Sequence, residues 1–435
     1  SVSWDAVEEI EFITTSNPME NYGAIGGTLN LVTRSGSNRF SGMASFYATN
    51  RDFNQILLPQ EHANTLGIGL PALKEFERDA SLRLGGPILK DRLWFLANYR
   101  RTSEEVAGSF VPVTINGTRY ENYNAPRTID WLFGKLTAQI KPTMRWFGSY
   151  NYNKDVSPYD RTVPARIAQE AKRDFTATQF SLSSQFTWTL GPQSLLDARV
   201  GVWRFEGANL AQAGTEMNPH YIDRFTLYEW GRRGEDQRLG DKRNYNGSLS
   251  ITHFAPDWGG SHEIKAGAEY QPTFGQALVW SPGNSIRNWD FWNSNPYFYR
   301  GRDGLSGPGP FGDGRMLFGT NGTSEGCCGL AEDMDRSGAF VSDVWRVNDR
   351  LTLNLGVRYD ITKSGVPDVA KTAADPLAVA IGQAVMLPRW GVNPFGPLSS
   401  KGDDDRLPWK GFSALAGFAY DLTGDRLTIV KAHFA

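Results

Sequence analysis

Apolar and polar side chains alternate along most of this chain with a period of two, the pattern of a β-strand with unlike faces. Between Met144 and Asn153, residues Met144, Trp146, Gly148, Tyr150 and Tyr152 share one face. Arg145, Ser149, Asn151 and Asn153 share the other, and Phe147 is the exception. Leu196, Ala198, Val200 and Val202 alternate with Asp197, Arg199 and Gly201. Ile264, Ala266, Ala268 and Tyr270 alternate with Glu263, Lys265 and Glu269, and Leu351 to Asp360 reads the same way. Helical periodicity is confined to one short stretch, Pro164 to Lys172. The spacing therefore predicts an all-β chain, which suits either a soluble sheet or a wide barrel with a wet interior.

The connections separate those two. Tight turns are expected at Gly85–Arg92, Lys141–Thr143, Gly191–Ser194, Pro256–Ser261, Asn348–Arg350 and Thr423–Arg426. Long irregular stretches lie between them: Asn50–Asp79, Ser103–Thr128, Lys154–Phe175, Glu206–Lys242, Gln271–Ser337 and Ile361–Lys410. Loops beyond about 15 residues are uncommon in compact soluble domains, and nothing there would place one at every second connection. An antiparallel transmembrane barrel has this asymmetry, with short turns at one rim and long loops at the other. Strands of about ten residues, rising about 3.3 Å each and tilted about 40°, cross about 25 Å, the height of its apolar band.

Composition agrees with a barrel. The 435 residues include 14 Trp and 16 Tyr, yet the mean hydropathy is −0.42. An apolar aromatic outer face, a polar lumen and polar loops average to such a value. A net charge of −2 excludes the basic excess of a nucleic-acid binder. No apolar run reaches the 18 residues of a membrane-crossing helix. Cys327 and Cys328 are the only cysteines, so no disulfide framework supports the fold.

Particular segments carry a family resemblance. Val7-Glu8-Glu9-Ile10-Glu11-Phe12-Ile13, then Tyr22-Gly23, Gly26-Gly27 and Leu29-Asn30-Leu31-Val32-Thr33-Arg34-Ser35-Gly36, resemble the closing segment of a TonB-dependent receptor plug. Thr28, Leu29 and Arg34 depart from that family's usual residues. Four turns with their flanking strands narrow the resemblance to the Oar-like branch: Gly85 to Phe95, Gly260 to Gly267, Asp349 to Tyr359 and Gly417 to Leu422. The resemblance implies residues 1–37 as the C-terminal end of a plug domain and 38–435 as the N-terminal part of an outer-membrane β-barrel. About 13 strands are expected here, against 22 in the family. Ser1 to Ala6 shows no secretion signal and Lys431 to Ala435 stops in mid-pattern, so a piece of a longer chain is expected.

The resemblance further implies uptake of a bulky ligand, glycan or peptide, across the outer membrane. Its partners would be the inner-membrane TonB complex, outer-membrane lipid and an extracellular ligand, with no nucleic acid. Tyr22, Gly23, Gly26, Gly27 and Asn30 would be structural pivots of the plug turns. The alternative is a surface binding or adhesion protein that keeps the barrel as an anchor.

Chemistry beyond binding is not written in the sequence. The five histidines are scattered, and neither H-E-x-x-H nor G-x-S-x-G occurs. No catalytic group, cofactor or metal site is expected. Trp280, Trp289, Phe291, Trp292, Tyr297 and Tyr299 crowd one loop. They either pack together as a miniature core or present rigid rings to a ligand, and the two readings are compatible. Cys327-Cys328 in the same loop reads as a vicinal disulfide sooner than as a thiol metal site. Asp403-Asp404-Asp405, and Glu332-Asp333 with Asp335, read as solvated acidic faces sooner than as calcium sites. Arg145, Arg199 and Arg358 are expected to pair with Asp197, Glu263, Glu269 and Asp360 across the lumen wall or to face the plug.

Overall fold

The computed structural model describes residues 3–13, 19–20, 28–53, 74–106, 113–115, 117–121, 123–159, 167–215, 220–223, 228–231, 236–280, 285–292, 295–296, 315–319, 330–366, 369–371, 398–400, 403–425 and 427–434, with isolated positions between 380 and 391. Strands β1 (Val7–Ile13) and β2 (Thr28–Thr33) pair antiparallel, Ile10 opposite Leu31 and Phe12 opposite Leu29. Then come β3 (Ser41–Asn50), β4 (Lys74–Leu89) and β5 (Leu93–Val106), followed by the loop hairpin β6 (Val113–Ile115) and β7 (Thr118–Tyr120). After β8 (Ala125–Lys141), β9 (Met144–Ser157), β10 (Arg173–Gly191) and β11 (Ser194–Ala211), a loop carries β12 (His220–Asp223) and β13 (Tyr228–Gly231). Strands β14 (Asp236–Ala255) and β15 (Ser261–Trp280) lead to the loop strands β16 (Ser285–Trp292), β17 (Asn295–Pro296) and β18 (Arg315–Gly319). The long strands resume as β19 (Leu330–Arg346) and β20 (Leu351–Val366). A loop pair, β21 (Val369–Lys371) and β22 (Leu398–Ser400), precedes β23 (Asp403–Asp421) and β24 (Ile429–Phe434).

The long strands form one antiparallel sheet of thirteen, ordered β24-β23-β20-β19-β15-β14-β11-β10-β9-β8-β5-β4-β3. Every neighbour is the next long strand in the chain, so each connection is a hairpin at one rim or the other. The sheet is an open wall with β3 and β24 at its edges.

Its two faces are inverted relative to a soluble protein. Leu132, Leu136, Tyr150, Leu182, Val200, Leu249, Val341, Leu355, Val357 and Phe412 are all exposed on the outer face. Ser81, Asn98, Lys135, Asn151, Arg358 and Asp360 are buried on the inner face. Soluble proteins rarely bury such groups and expose such a band; a wall standing in hydrocarbon around a polar lumen does both. Phe147, the exception to the alternation, faces inward, and the Lys135 Nζ lies 4.9 Å from its ring centroid, a cation–π contact.

Three sequence expectations need correction. Strands β4 to β23 of the wall run 14 to 20 residues, well beyond the expected ten. The apolar alternation marks only the part facing hydrocarbon, while the backbone ladder continues above it with polar side chains that carry no period. For the same reason the long connections are shorter than expected, and the first turn tightens to residues 90–92 because Gly85–Leu89 belong to β4. The helix expected over 164–172 is, among the described residues, a single 3-10 turn at Gln169–Ala171. It follows an isolated bridge from Ile167 to Glu229. Finally, Arg199 pairs with Asp197 at 2.6 Å, and Arg358 with Asp360 and Glu269, but Arg145 and Glu263 make no ion pair among the described residues.

Candidate functional site

The N-terminal segment lies against the inner face of the wall and is held there almost entirely by polar contacts. Among the described residues two apolar side chains anchor it: Ala6, fully buried against Leu96 and Phe133, and Met19, buried beside Gly356 of β20. Around it, four cations reach inward from the wall. Arg83 donates through Nη1 to the Asp5 carbonyl at 2.7 Å. The Lys135 Nζ donates to the Thr33 carbonyl at 2.9 Å and to its hydroxyl at 3.1 Å. Lys265 forms an ion pair with Glu20, and Arg358 Nη1 donates to the Met19 carbonyl at 2.9 Å. Strands β4 and β20 thus grip one segment although eight strands lie between them in the sheet, so the wall curves around the segment.

Arg358 is the most demanding of the four. Its side chain is 3% exposed, between Asp360 at 4% and Glu269 at 18%. A guanidinium so enclosed is tolerated only with its donors engaged; here two carboxylates and a carbonyl take them. Beside it a cavity of about 370 Å³ separates Glu20 and Thr28 from Asp197, Arg199, Glu269 and Arg336.

At the opposite rim three loops pack into a cap. Ile167, Ala168, Ala171 and Tyr228 form a buried cluster, with Tyr120, Tyr123 and Trp230 against it. Tyr120 meets Tyr228 at 5.2 Å, and Tyr221 stacks on Trp230 at 5.3 Å and 13°. The Tyr123 hydroxyl donates to the Ile167 carbonyl at 2.9 Å, and its ring meets Tyr159 edge-on. Tyr159 holds a left-handed φ of 75°, costly for a bulky residue and maintained here by packing. A fourth loop joins by parallel pairing of β12 with β16, Tyr221 opposite Trp289.

Burial, with the Glu170 carboxylate as a second cause, pushes the Tyr120 phenol up to about 12 and raises Tyr123 and Tyr228 as well. Because folding raises these values, their contribution to cap stability is complete below about pH 10. It is lost as pH climbs through about 12 for Tyr120. Absorbance at 295 nm should show a late phenolate phase that disappears in Y120F/Y123F/Y228F. A single titration near pH 10 for every tyrosine would mean that the cap does not pack.

Of the residues singled out from sequence, Tyr22, Gly23, Gly26, Gly27, Tyr297, Tyr299, Cys327 and Cys328 lie outside the described residues. Trp280 ends β15, and Trp289, Phe291 and Trp292 lie on β16, described for their backbone alone. Asn30 sits across from Glu11 in the hairpin, its Nδ2 3.3 Å from the Glu11 carboxylate. Asp333 and Asp335 lie on β19 and Asp403 to Asp405 on β23; among the described residues no group of three His, Cys, Asp or Glu is placed to share a metal ion. Sequence reasoning missed the tyrosine cap, although Tyr120 with Tyr123, and Tyr228 with Trp230, were visible as closely spaced aromatics. It also missed Arg83 and Lys135 as anchors. Both are lone basic residues on an inward register, the only signal available.

An inverted wall, hairpins throughout and loops long at one rim are what the sequence comparison then meets. The family model described as outer membrane beta barrel domain matches residues 110–433. The chain belongs to the outer-membrane β-barrel family. Within that family it is similar to the TonB-dependent transporter Oar of Myxococcus xanthus, with 23% identity over 83% of this chain and 40% of that protein. The fold resembles the outer membrane transporter YddB of Escherichia coli, with a TM-score of 0.58 and 12% identity. That match covers 96% of this chain and 54% of the other. The siderophore receptor PiuA of Acinetobacter baumannii gives a TM-score of 0.54 at 12% identity, over 96% of this chain and 52% of that one. The chain therefore spans about half the length of these relatives, or less. As a member of this family it resides in the outer membrane, with its short turns periplasmic and its capped loops outside.

Proposed function

We propose that this chain is part of a TonB-dependent transporter that takes up a bulky ligand, a glycan or peptide, through the barrel lumen. On this reading residues 1–37 are the end of the plug and 38–435 the beginning of the barrel. The observation that carries it is the polar grip of Arg83, Lys135, Lys265 and Arg358 on the N-terminal segment. Hydrogen bonds and ion pairs beside a wet cavity can be exchanged for water at small net cost, whereas an apolar seal could not. Such a segment stays put at rest and yields to a pull from the TonB complex.

Two further features support it. Ile10, Phe12, Leu29 and Leu31 form an apolar hairpin face that is 42% to 63% exposed, a surface suited to the remainder of a plug. Outside, the cap offers the stacked Tyr221–Trp230 pair beside the strand bearing Trp289, Phe291 and Trp292. Rigid aromatic rings give contact area to sugars or peptides at little entropic cost.

The test uses the full-length protein in cells with and without an energised TonB complex, offered fluorescent oligosaccharide and oligopeptide pools. Surface binding is expected in both strains and internal fluorescence only where TonB works. Surface binding with no TonB-dependent entry would establish the alternative, a barrel-anchored binding or adhesion protein.

A further inference from the structure

The outer face of β10, β11, β14 and β15 carries two depressions, one above the other, that neither transport nor the loop cap requires. The lower is an apolar groove of about 540 Å³ lined by Phe186, Ala198, Val200, Leu249, Ala268 and Tyr270. It lies in the outward register, where Gly247 adds no side chain between Val200 and Tyr270. The upper is a polar pocket of about 520 Å³ lined by Thr176, Thr178, Arg204, Glu206, Asp241 and Gln276. Its register is the same: Thr178 pairs with Glu206, Glu206 with Asp241, and Asp241 with Gln276. Both depressions therefore open away from the lumen.

The pocket is built by a bulge. The ladder shifts between Gly207 and Ala208 and again between Arg238 and Asp241. Gly240 has a φ of 113°, and a Cβ on it would lie 2.2 Å from the Gln276 carbonyl oxygen. Only glycine fits this backbone. The bulge sets Asp241 where it accepts from the Nε of Arg204 at 3.1 Å and of Arg243 at 3.0 Å. Glu206 adds a second carboxylate to Arg204. Neither arginine uses its Nη1 in any of these bonds, so each keeps donors for an anion arriving from outside.

Height decides what that anion is. Four residues separate Val200 from Arg204, and four separate Gly247 from Arg243, about 13 Å along the strand and about 10 Å along the membrane normal. Tyr245 lies between, and Phe274 sits opposite Arg243, whose guanidinium lies 5.7 Å over its ring. Outward aromatic rings at this level mark the boundary between hydrocarbon and headgroups. The groove is thus at acyl-chain depth and the guanidiniums at headgroup depth, on the extracellular rim. We infer that this face binds one phosphate-bearing lipid of the outer leaflet, an acyl chain in the groove and a phosphate at Arg204 and Arg243.

The inference rests on the membrane setting and not on transport, so failure of the uptake test leaves it standing. The full-length protein would be placed in phosphatidylcholine nanodiscs doped with bis-phosphorylated lipid A and released into a native mass spectrometer. One lipid A per protein is expected to survive release. R204Q/R243Q should lower its retention about tenfold or more, as expected for lost charge-assisted bonds to phosphate. A198F, which fills the groove and leaves the arginines intact, should lower it as well. Added inorganic phosphate should not displace the lipid, because it lacks the chain. Unaltered retention in both variants, or equal retention of a dephosphorylated lipid A, would overturn the proposal. Displacement by free phosphate would overturn the groove's part in it. Native gel mobility of each variant confirms that the barrel has folded.

Discussion

Replacing Arg358 with methionine in the full-length protein is expected to cost about 3–5 kcal/mol, the toll for removing one partner of a buried charge cluster. The Asp360 carboxylate receives Nε at 2.9 and 3.0 Å and Nη2 at 2.8 Å, while Glu269 shares the same Nη2. Without the guanidinium, two carboxylates face each other across the intervening β19, where Gly338 has no side chain to separate them, with Asp360 almost fully enclosed. The Met19 carbonyl also loses its donor, so the segment detaches locally as the wall weakens. The urea midpoint in detergent micelles reads the first effect. The triple variant R358M/E269Q/D360N should recover part of the loss, because amides need no counter-charge. A single variant as stable as the parent would show that the cluster bears no structural load.

The second large effect is expected at Gly36, where the segment leaves the lumen and enters the wall. A Cβ there would lie 2.2 Å from the Phe95 carbonyl oxygen and 3.0 Å from the Phe95 nitrogen and carbonyl carbon. All three are backbone atoms in a paired strand, so none can swing aside. Overpacking ordinarily costs about 1–3 kcal/mol, and G36A should sit at or above the top of that range. The strain is relieved most simply by lifting the segment off β5. Trypsin would then cut after Arg34, whose Nε donates to the Val7 carbonyl at 3.0 Å in the intact structure. The control is G134A, where nothing lies within 4 Å of the added carbon and stability should hold or rise slightly. Equal trypsin resistance of G36A and the parent would mean that the segment does not approach β5 so closely.

These two positions show how unevenly the structure could be read in advance. Arg358 lay in an alternating strand, and its pairing with Asp360 and Glu269 was foreseeable from its inward register. Gly36 was legible only as part of a family-like strand, since close backbone approach leaves no periodic signal. The cap was harder still. Its contacts join residues from the loops after β5, β9, β11 and β15, and no local pattern tells Tyr123 that Ile167 will be its acceptor. The aromatic run from Trp280 lies on the end of β15 and on β16, while the aromatic cluster among the described side chains comes from the loops after β5, β9 and β11.

By itself the sequence determined the period-two strands, the alternation of short and long connections, and so an all-β antiparallel wall of about thirteen strands with a polar inner face. Each of these follows from the pleat, which sends successive side chains to opposite solvents, and from hydrogen bonds between strands adjacent in the chain. Only the tertiary structure decided how far the strands rise above the membrane, which wall cations hold the N-terminal segment, how the loops interlock, and where bulge and groove meet on the outer face. Those depend on curvature and on groups brought together from distant parts of the chain. Pair contacts of that kind are fixed by the closing geometry of the sheet and leave no trace in the order of residues along any one strand.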